Sequence, residues 1–268
     1  MLELNGKTVV ITAGASAMAR CIARLMSDRG ANLVIADIDL AAAEGLAAEL
    51  PSALAVTCDV RSSADVEHVR DVTLERFGAA DVVLSHAGIS AAALAYDFSE
   101  ADWARLMDIN VIGMARVLRA FLPHMLSRGS GHLVFTSSSL ALLPGHPVSV
   151  LAAPYIASKA AVIGLAQAIA TAHRGQGIEV TLFAPDATDT GWRPEPAGDL
   201  ETDAVRQIVA GLPRYSRDTP EHAAEVLLAA LDEGRFLASA TPNHERLLRL
   251  QAEALLDPSA LTDAYPPA

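Results

Sequence analysis

A chain of 268 residues, 51% hydrophobic and only 19% charged, can bury a sizeable core and is not a disordered, collagenous or charge-rich coiled-coil protein. Acidic residues outnumber basic ones 32 to 20, a formal net charge of −12, which argues against a nucleic-acid partner and against attraction to an anionic membrane surface. Its two cysteines, Cys21 and Cys58, sit in apolar segments without CxxC spacing, so both are expected as buried thiols rather than as a disulfide or a zinc framework.

From Met1 the sequence passes directly into an apolar strand, so no signal peptide is expected. No apolar stretch reaches the roughly 18 unbroken residues of a membrane helix, and a cytoplasmic location is expected. Six β-branched segments then follow in order: Thr8 to Thr12, Asn32 to Ala36, Ala53 to Cys58, Asp81 to Ser85, His132 to Thr136 and Glu179 to Phe183. Each is continuously apolar, as burial on both faces demands. Segments of helical period alternate with them at about 16–29, 40–50, 62–77, 100–128, 153–174 and 219–233. This alternation predicts an α/β fold, a doubly wound parallel sheet of Rossmann-like type, as one domain over residues 1–268. Residues 186–218 break the rhythm and are expected to form a substrate lid with a short helix near 200–211. The 241–268 tail is expected to dock a helix around His244 to Leu256.

Tyr155-Ile-Ala-Ser-Lys159 places a phenol and an ammonium one helical turn apart, so both project from the same face. A nearby cation favours phenolate, which is useful for moving a proton. Lys159 is one of only two lysines in a chain that otherwise uses arginine, and lysine supplies a compact charge that arginine does not. Ser137, Ser138 and Ser139 end the fifth strand, at the carboxyl edge where ligands bind in such sheets. Asn110 lies in the preceding long helix.

Together these residues resemble the Asn, Ser, Tyr, Lys tetrad of the short-chain dehydrogenase/reductase family, and the resemblance runs to about residue 237. It implies that Tyr155 exchanges the proton with a substrate hydroxyl or carbonyl, that Ser138 hydrogen-bonds the same oxygen, and that Lys159 depresses the Tyr pKa and holds the nicotinamide ribose. Asn110 would anchor a water. Ser138 is preferred within the triplet on its turn context, with Ser139 open as well. The Ser138 to Tyr155 spacing of seventeen residues exceeds the family's usual dozen or so, implying an enlarged loop through Pro144 to Ser149. On the cofactor side, the resemblance points to Gly14, Ser16, Met18, Asp37, Asp59, Val60, Ala87, Gly88 and Thr190 together with Lys159. Asp37 closes the second strand, where a carboxylate accepts ribose hydroxyls and repels a 2′-phosphate, favouring NAD over NADP. Ser16 reads first as a cap of the first helix. The small-residue helix through Ala157 to Ala172 implies a homodimer or homotetramer, again by resemblance.

Departures accompany the match. The family's Thr-Gly-x-x-x-Gly-x-Gly turn appears as Thr12-Ala13-Gly14-Ala15-Ser16-Ala17-Met18-Ala19, with alanine at each fingerprint glycine. Ala17 weighs most, because a methyl there would crowd a pyrophosphate and, if the position needs positive φ, would force the backbone to reshape. His86 stands where the family has Asn, and Asp186 where it has Gly after a proline. His86 and His146 fall in active-site loops, whereas Trp103 and Trp192 read first as packing residues. No HExxH pattern or other paired histidine spacing suggests a metal, and no GxSxG elbow suggests a serine hydrolase. The readings left open are an NAD-linked secondary alcohol and ketone oxidoreductase, a cofactor-independent acid–base enzyme on the same scaffold (isomerisation, dehydration or cyclisation), and a binding protein without turnover. The substrate is a small molecule in the first two.

Overall fold

A computed structural model describes residues 2–143, 147–191, 193–211 and 217–257. The chain order is β1 (Thr8–Thr12), α1 (Ala17–Ser27), β2 (Asn32–Asp37), α2 (Leu40–Glu49), β3 (Ala53–Thr57), α3 (Ser63–Phe77), β4 (Val82–Ser85) and β5 (Ala91–Ala92). There follow α4 (Glu100–Met107), a π-helical turn (Asp108–Ile112), α5 (Gly113–Arg128), β6 (Gly131–Thr136), α6 (Ser139–Leu142) and a 3-10 turn (Pro147–Leu151). The last elements are α7 (Ala153–Ala172), β7 (Ile178–Ala184), β8 (Glu195–Pro196), α8 (Asp203–Gly211), α9 (Pro220–Asp232), β9 (Leu237–Ser239) and α10 (His244–Ala254).

Seven parallel strands form one sheet in the order β3-β2-β1-β4-β6-β7-β9. Register pairs such as Ile11 with Ile35 and Leu133 with Val180 align apolar residues along neighbouring strands. Both faces are covered, which is why the strands read as unbroken apolar runs. Phe121 and Phe135 lie in the core on one face, and Ile22, Met26 and Phe183 in that on the other. Each fully buried side chain of this size contributes about 2 kcal/mol by leaving water. Strand order reverses between β1 and β4, so the crevice at their carboxyl ends is the switch point where such sheets bind ligands.

Helix starts follow local chemistry. Asp39, Ser62 and Thr219 accept N-terminal N–H groups of α2, α3 and α9, and Ser99 with Asp102 forms a reciprocal capping box on α4. Gly78 at φ 77° ends α3 in the left-handed conformation glycine allows.

Three features differ from the sequence expectations. The helix expected over 100–128 is interrupted by the π turn, whose wider hydrogen-bonded ring inserts a local irregularity that apolar periodicity does not signal. A seventh strand, β9, extends the sheet through Leu182↔Leu237 pairing, and its three residues are too few to show a period. Of the cysteines, Cys58 is buried, with its thiol pushed up to about 12 by desolvation, whereas Cys21 is only half-buried beside Glu221. α7 is a described helix long and apolar enough to cross a membrane by length and composition. In the fold its Val162 and Ala166 pack into the core against the sheet.

Candidate active site

Two adjoining strand ends and one helix assemble the acid–base group. Tyr155 and Lys159 project from the first turns of α7, beside the carboxyl end of β6. Ser138 lies beside the Tyr155 phenol, near enough for its hydroxyl to favour the phenolate, and its Oγ also accepts the Leu140 N–H. Its two neighbours are spent elsewhere. Ser137 Oγ donates to the Lys159 carbonyl at 2.8 Å, and Ser139 Oγ donates to Asp186 Oδ1 at 3.0 Å. With Ser137 and Ser139 so engaged, Ser138 is the member of the triplet left beside Tyr155.

Lys159 is 3% exposed and its Nζ donates to the Thr136 carbonyl at 2.9 Å. Burial lowers its pKa to about 8. Lys159 is expected from the sequence to depress the Tyr155 pKa, and the phenol's surroundings act on it as follows. Burial raises the phenol's pKa, the Ser138 hydroxyl opposing it only in part, while Nζ sits 5.9 Å from the ring centroid and is turned to Thr136.

Asn110 is fully buried in the π turn. Its Oδ1 accepts the Ile89 N–H at 2.8 Å, and its Nδ2 donates to the Ile89 carbonyl and to Ser158 Oγ, each at 2.9 Å. Ser158 Oγ in turn donates to the Tyr155 carbonyl. The Asn110 side chain thus clamps the loop after β4 to the start of α7.

The cofactor-side residues gather around the switch point. Asp37, the last residue of β2, accepts the Ala15 and Asp39 N–H groups on its two oxygens. Gly14 is buried, and a Cβ there would lie 2.8 Å from the Ile11 carbonyl and 2.9 Å from Ile35 Cγ2, so its duty is close packing of the turn on β2. Gly88 adjoins the acid–base group, where a Cβ would come 3.0 Å from Lys159 Nζ and 3.2 Å from Asn110 Oδ1. The Ala87 N–H donates to Thr12 Oγ1. Met18 is a buried residue of the α1 core face, and Val60 packs against Gly113. Asp59 is paired with Arg61, which holds its carboxyl below the usual range. Thr190 lies in the loop after β7, its N–H bonded to the Thr188 carbonyl.

Ser16 and Ala17 each carry a correction. Ser16 occupies the N-cap position of α1, yet its side chain makes no cap hydrogen bond and its Oγ is buried without a partner. Ala17 opens α1 with a helical backbone, whereas the positive φ falls on Ala13, at 50°. The conformational demand thus lies at the first fingerprint position, because the turn reverses direction there before the helix begins. Ala19, at the third position, packs fully buried, with room for its methyl.

The turn fits a dinucleotide phosphate on its own chemistry. The first N–H groups of α1 have no intrahelical acceptor, no acidic side chain occupies the first turn, and the orphaned Ser16 hydroxyl sits beside them. Such a terminus attracts an anion. Arg20, which sequence reasoning missed, braces this turn by donating to the Ala15 and Ala42 carbonyls at 2.8 and 3.0 Å. Its position one helical turn after Ser16 was the available signal. Trp103 packs against the cluster containing Phe98 and Tyr155, as expected of a packing residue. Trp192 and His146, with the loop apex Pro144 to His146, lie outside the described residues. Within the expected lid, Leu200, Val205 and Ile208 pack on Leu94 and Leu151.

Comparison with known proteins agrees with this geometry. Residues 7–198 match the short chain dehydrogenase family. An uncharacterized short-chain type dehydrogenase/reductase of Sinorhizobium fredii is 32% identical, the match covering 88% of this chain and 91% of that one. The meso-2,3-butanediol dehydrogenase of Serratia marcescens is 31% identical over 89% and 93% of the two chains. Among solved structures, a short-chain dehydrogenase/reductase from Burkholderia phymatum in complex with NAD superposes with TM-score 0.81, at 28% identity and covering 96% of each chain. The chain belongs to the short-chain dehydrogenase/reductase family, and as such is an oxidoreductase by family.

Proposed function

We propose that this protein interconverts a secondary alcohol and a ketone with a nicotinamide cofactor, NAD preferred. The observation that carries the reading is the placing of Tyr155 and the buried Lys159 one turn apart on α7, beside Ser138 at the end of β6 and with Lys159 Nζ bonded to the Thr136 carbonyl. A bound nicotinamide supplies or accepts the hydride at its C4. In the reductive direction, Tyr155 donates its phenolic proton to the carbonyl oxygen, while Ser138 Oγ stabilises the charge developing on that oxygen. In the oxidative direction Tyr155 must first give up its own proton to solvent, and the resulting phenolate then takes the hydroxyl proton. The raised phenol pKa favours the proton-donating state at neutral pH. Ser16, the α1 N-terminus and Gly88 would hold the phosphates and ribose, with Lys159 directing an N–H to the ribose. The Asp37 carboxylate supports NAD, because a 2′-phosphate beside it would be repelled. The meso-2,3-butanediol dehydrogenase relative supports a small alcohol as substrate, and residues 186–218 would cover it.

We further propose a homodimer or homotetramer in the cytoplasm, assembled through the α5 and α7 faces. Much of α7 is apolar yet uncovered in the single chain, with Ala160, Gly164 and Ala168 exposed along one stripe.

The experiment is a calorimetric titration with NAD, NADH and NADP, followed by a survey of alcohols and ketones. Micromolar to sub-millimolar NAD binding with NADP at least tenfold weaker is expected, and absence of binding would overturn the dehydrogenase reading. Tyr155→Phe should retain nucleotide binding and lose at least 100-fold in kcat. Full activity in that variant would remove Tyr155 from the chemistry.

A further inference from the structure

The histidine that replaces the family's asparagine has a place in the site that its sequence position does not announce. His86 follows β4 at the switch point. Its N–H donates to Thr12 Oγ1 at 3.0 Å, and its ring lies stacked near Phe183 at a centroid distance of 6.5 Å. Its Nδ1 is 3.0 Å from Thr136 Oγ1. Thr136 is also the residue whose backbone carbonyl receives Lys159 Nζ at 2.9 Å. One threonine therefore joins an imidazole, through its side chain, to the buried ammonium, through its main chain.

We propose that His86 is a positioning residue that seats Lys159 through Thr136. A lysine ammonium has three N–H donors. Fixing the carbonyl that takes one of them fixes the directions of the other two, and Gly88 closes the space on another side. The ring is held by Thr136 of β6 and lies beside Phe183 of β7, while Thr12 of β1 holds the backbone N–H of the same residue. Desolvation, joined by the charge of Lys159, keeps the imidazole neutral down to about pH 4. A neutral ring can pack beside the ammonium across the physiological range without repelling it. The proposal rests on the reading of Lys159 as part of the site, but not on which nucleotide or substrate is used.

Only two lysines, Lys7 and Lys159, occur in the chain, so a protein labelled at lysine 13Cε gives two NMR signals, and Lys7→Arg assigns them. In the natural protein Lys159 should titrate near 8, well below Lys7. His86→Ala removes the imidazole, and Thr136→Val removes the hydroxyl while keeping shape and the carbonyl. Each is expected to raise the Lys159 midpoint by about one pH unit or more, as the seat loosens and water reaches Nζ. The double variant should move it no further than either single one, because both break the same link. Thr136→Val guards against loss of folding in the alanine variant. A Lys159 midpoint that stays within 0.2 pH units of the natural protein's in folded variants overturns the proposal, as does a Lys159 that titrates with Lys7 in the natural protein. Loss of nucleotide binding by the natural protein would count against the dehydrogenase reading alone, since the titration needs no nucleotide.

Discussion

Single residues settle how this site departs from its family pattern. Three alanines replace the turn's glycines, but only Ala13 carries the conformational penalty, at φ 50°. A left-handed backbone with a Cβ is disfavoured by roughly 1–2 kcal/mol, part of which glycine's larger unfolded-state freedom cancels. Ala13→Gly should therefore stabilise the protein by about 0.5–1 kcal/mol, seen as a higher urea midpoint with an unchanged slope. Equal or lower stability would show that the turn is not strained at that position. The identity of the alanines was plain in the sequence. Which one bears the strain was not, because φ at a turn residue depends on the path from β1 into α1.

Elements explain why the acid–base pair is legible and its surroundings are not. Helical geometry fixes Tyr155 and Lys159 on one face wherever α7 lies. The tether of α7 to the loop after β4 runs instead through Asn110 in a π turn, a break with no apolar signature. On its outer side α7 exposes Gly164, where an added Cβ would meet nothing within 4 Å. Gly164→Arg is accordingly compatible with the subunit fold, but places a charge in the proposed interface. Light scattering should show a natural dimer or tetramer reduced to a 28.0 kDa monomer in this variant. A natural protein already monomeric would remove the assembly proposal.

At the scale of the whole molecule, buried basic groups set the pH range of stability. His132 in β6 is 5% exposed, and burial lowers its pKa to about 4. His86 is lowered to a similar value by desolvation and by Lys159. Unfolded histidine titrates near 6.5. Between pH 6.5 and 4 the unfolded chain takes up protons that the folded chain refuses, so stability falls as pH drops through that window. Each pH unit across it costs about 1.4 kcal/mol for a single histidine, so the loss from His132 reaches about 3 kcal/mol by pH 4. Lys159, lowered to about 8 against 10.5, adds the same sign at the other end, and stability rises with pH between those values. Urea midpoints measured from pH 7 to 4.5 should fall steadily, and His132→Gln should flatten the slope. A profile unchanged in that variant would mean that His132 is not held neutral by burial. Asp81 and Asp232, whose pKa values are lowered by their hydrogen bonds and basic partners, act only below about pH 4 and leave this window clear.

The sequence by itself determined the alternation of strands and helices, the parallel sheet it requires, the Tyr155–Lys159 pair and the carboxylate closing β2. Each of these is local: a periodicity, a spacing along one helix, or a residue at a strand end. The tertiary structure alone decided that Ser138 rather than Ser137 or Ser139 is left beside Tyr155, because the competing hydroxyls are drawn to α7 and to the loop after β7. It also decided that Lys159 turns to Thr136, that His86 bonds the same threonine, and that β9 completes the sheet. These facts depend on segments between about 20 and 55 residues apart meeting at one sheet edge. Partners so far apart in the chain are chosen by packing and by hydrogen bonds that burial leaves no water to replace.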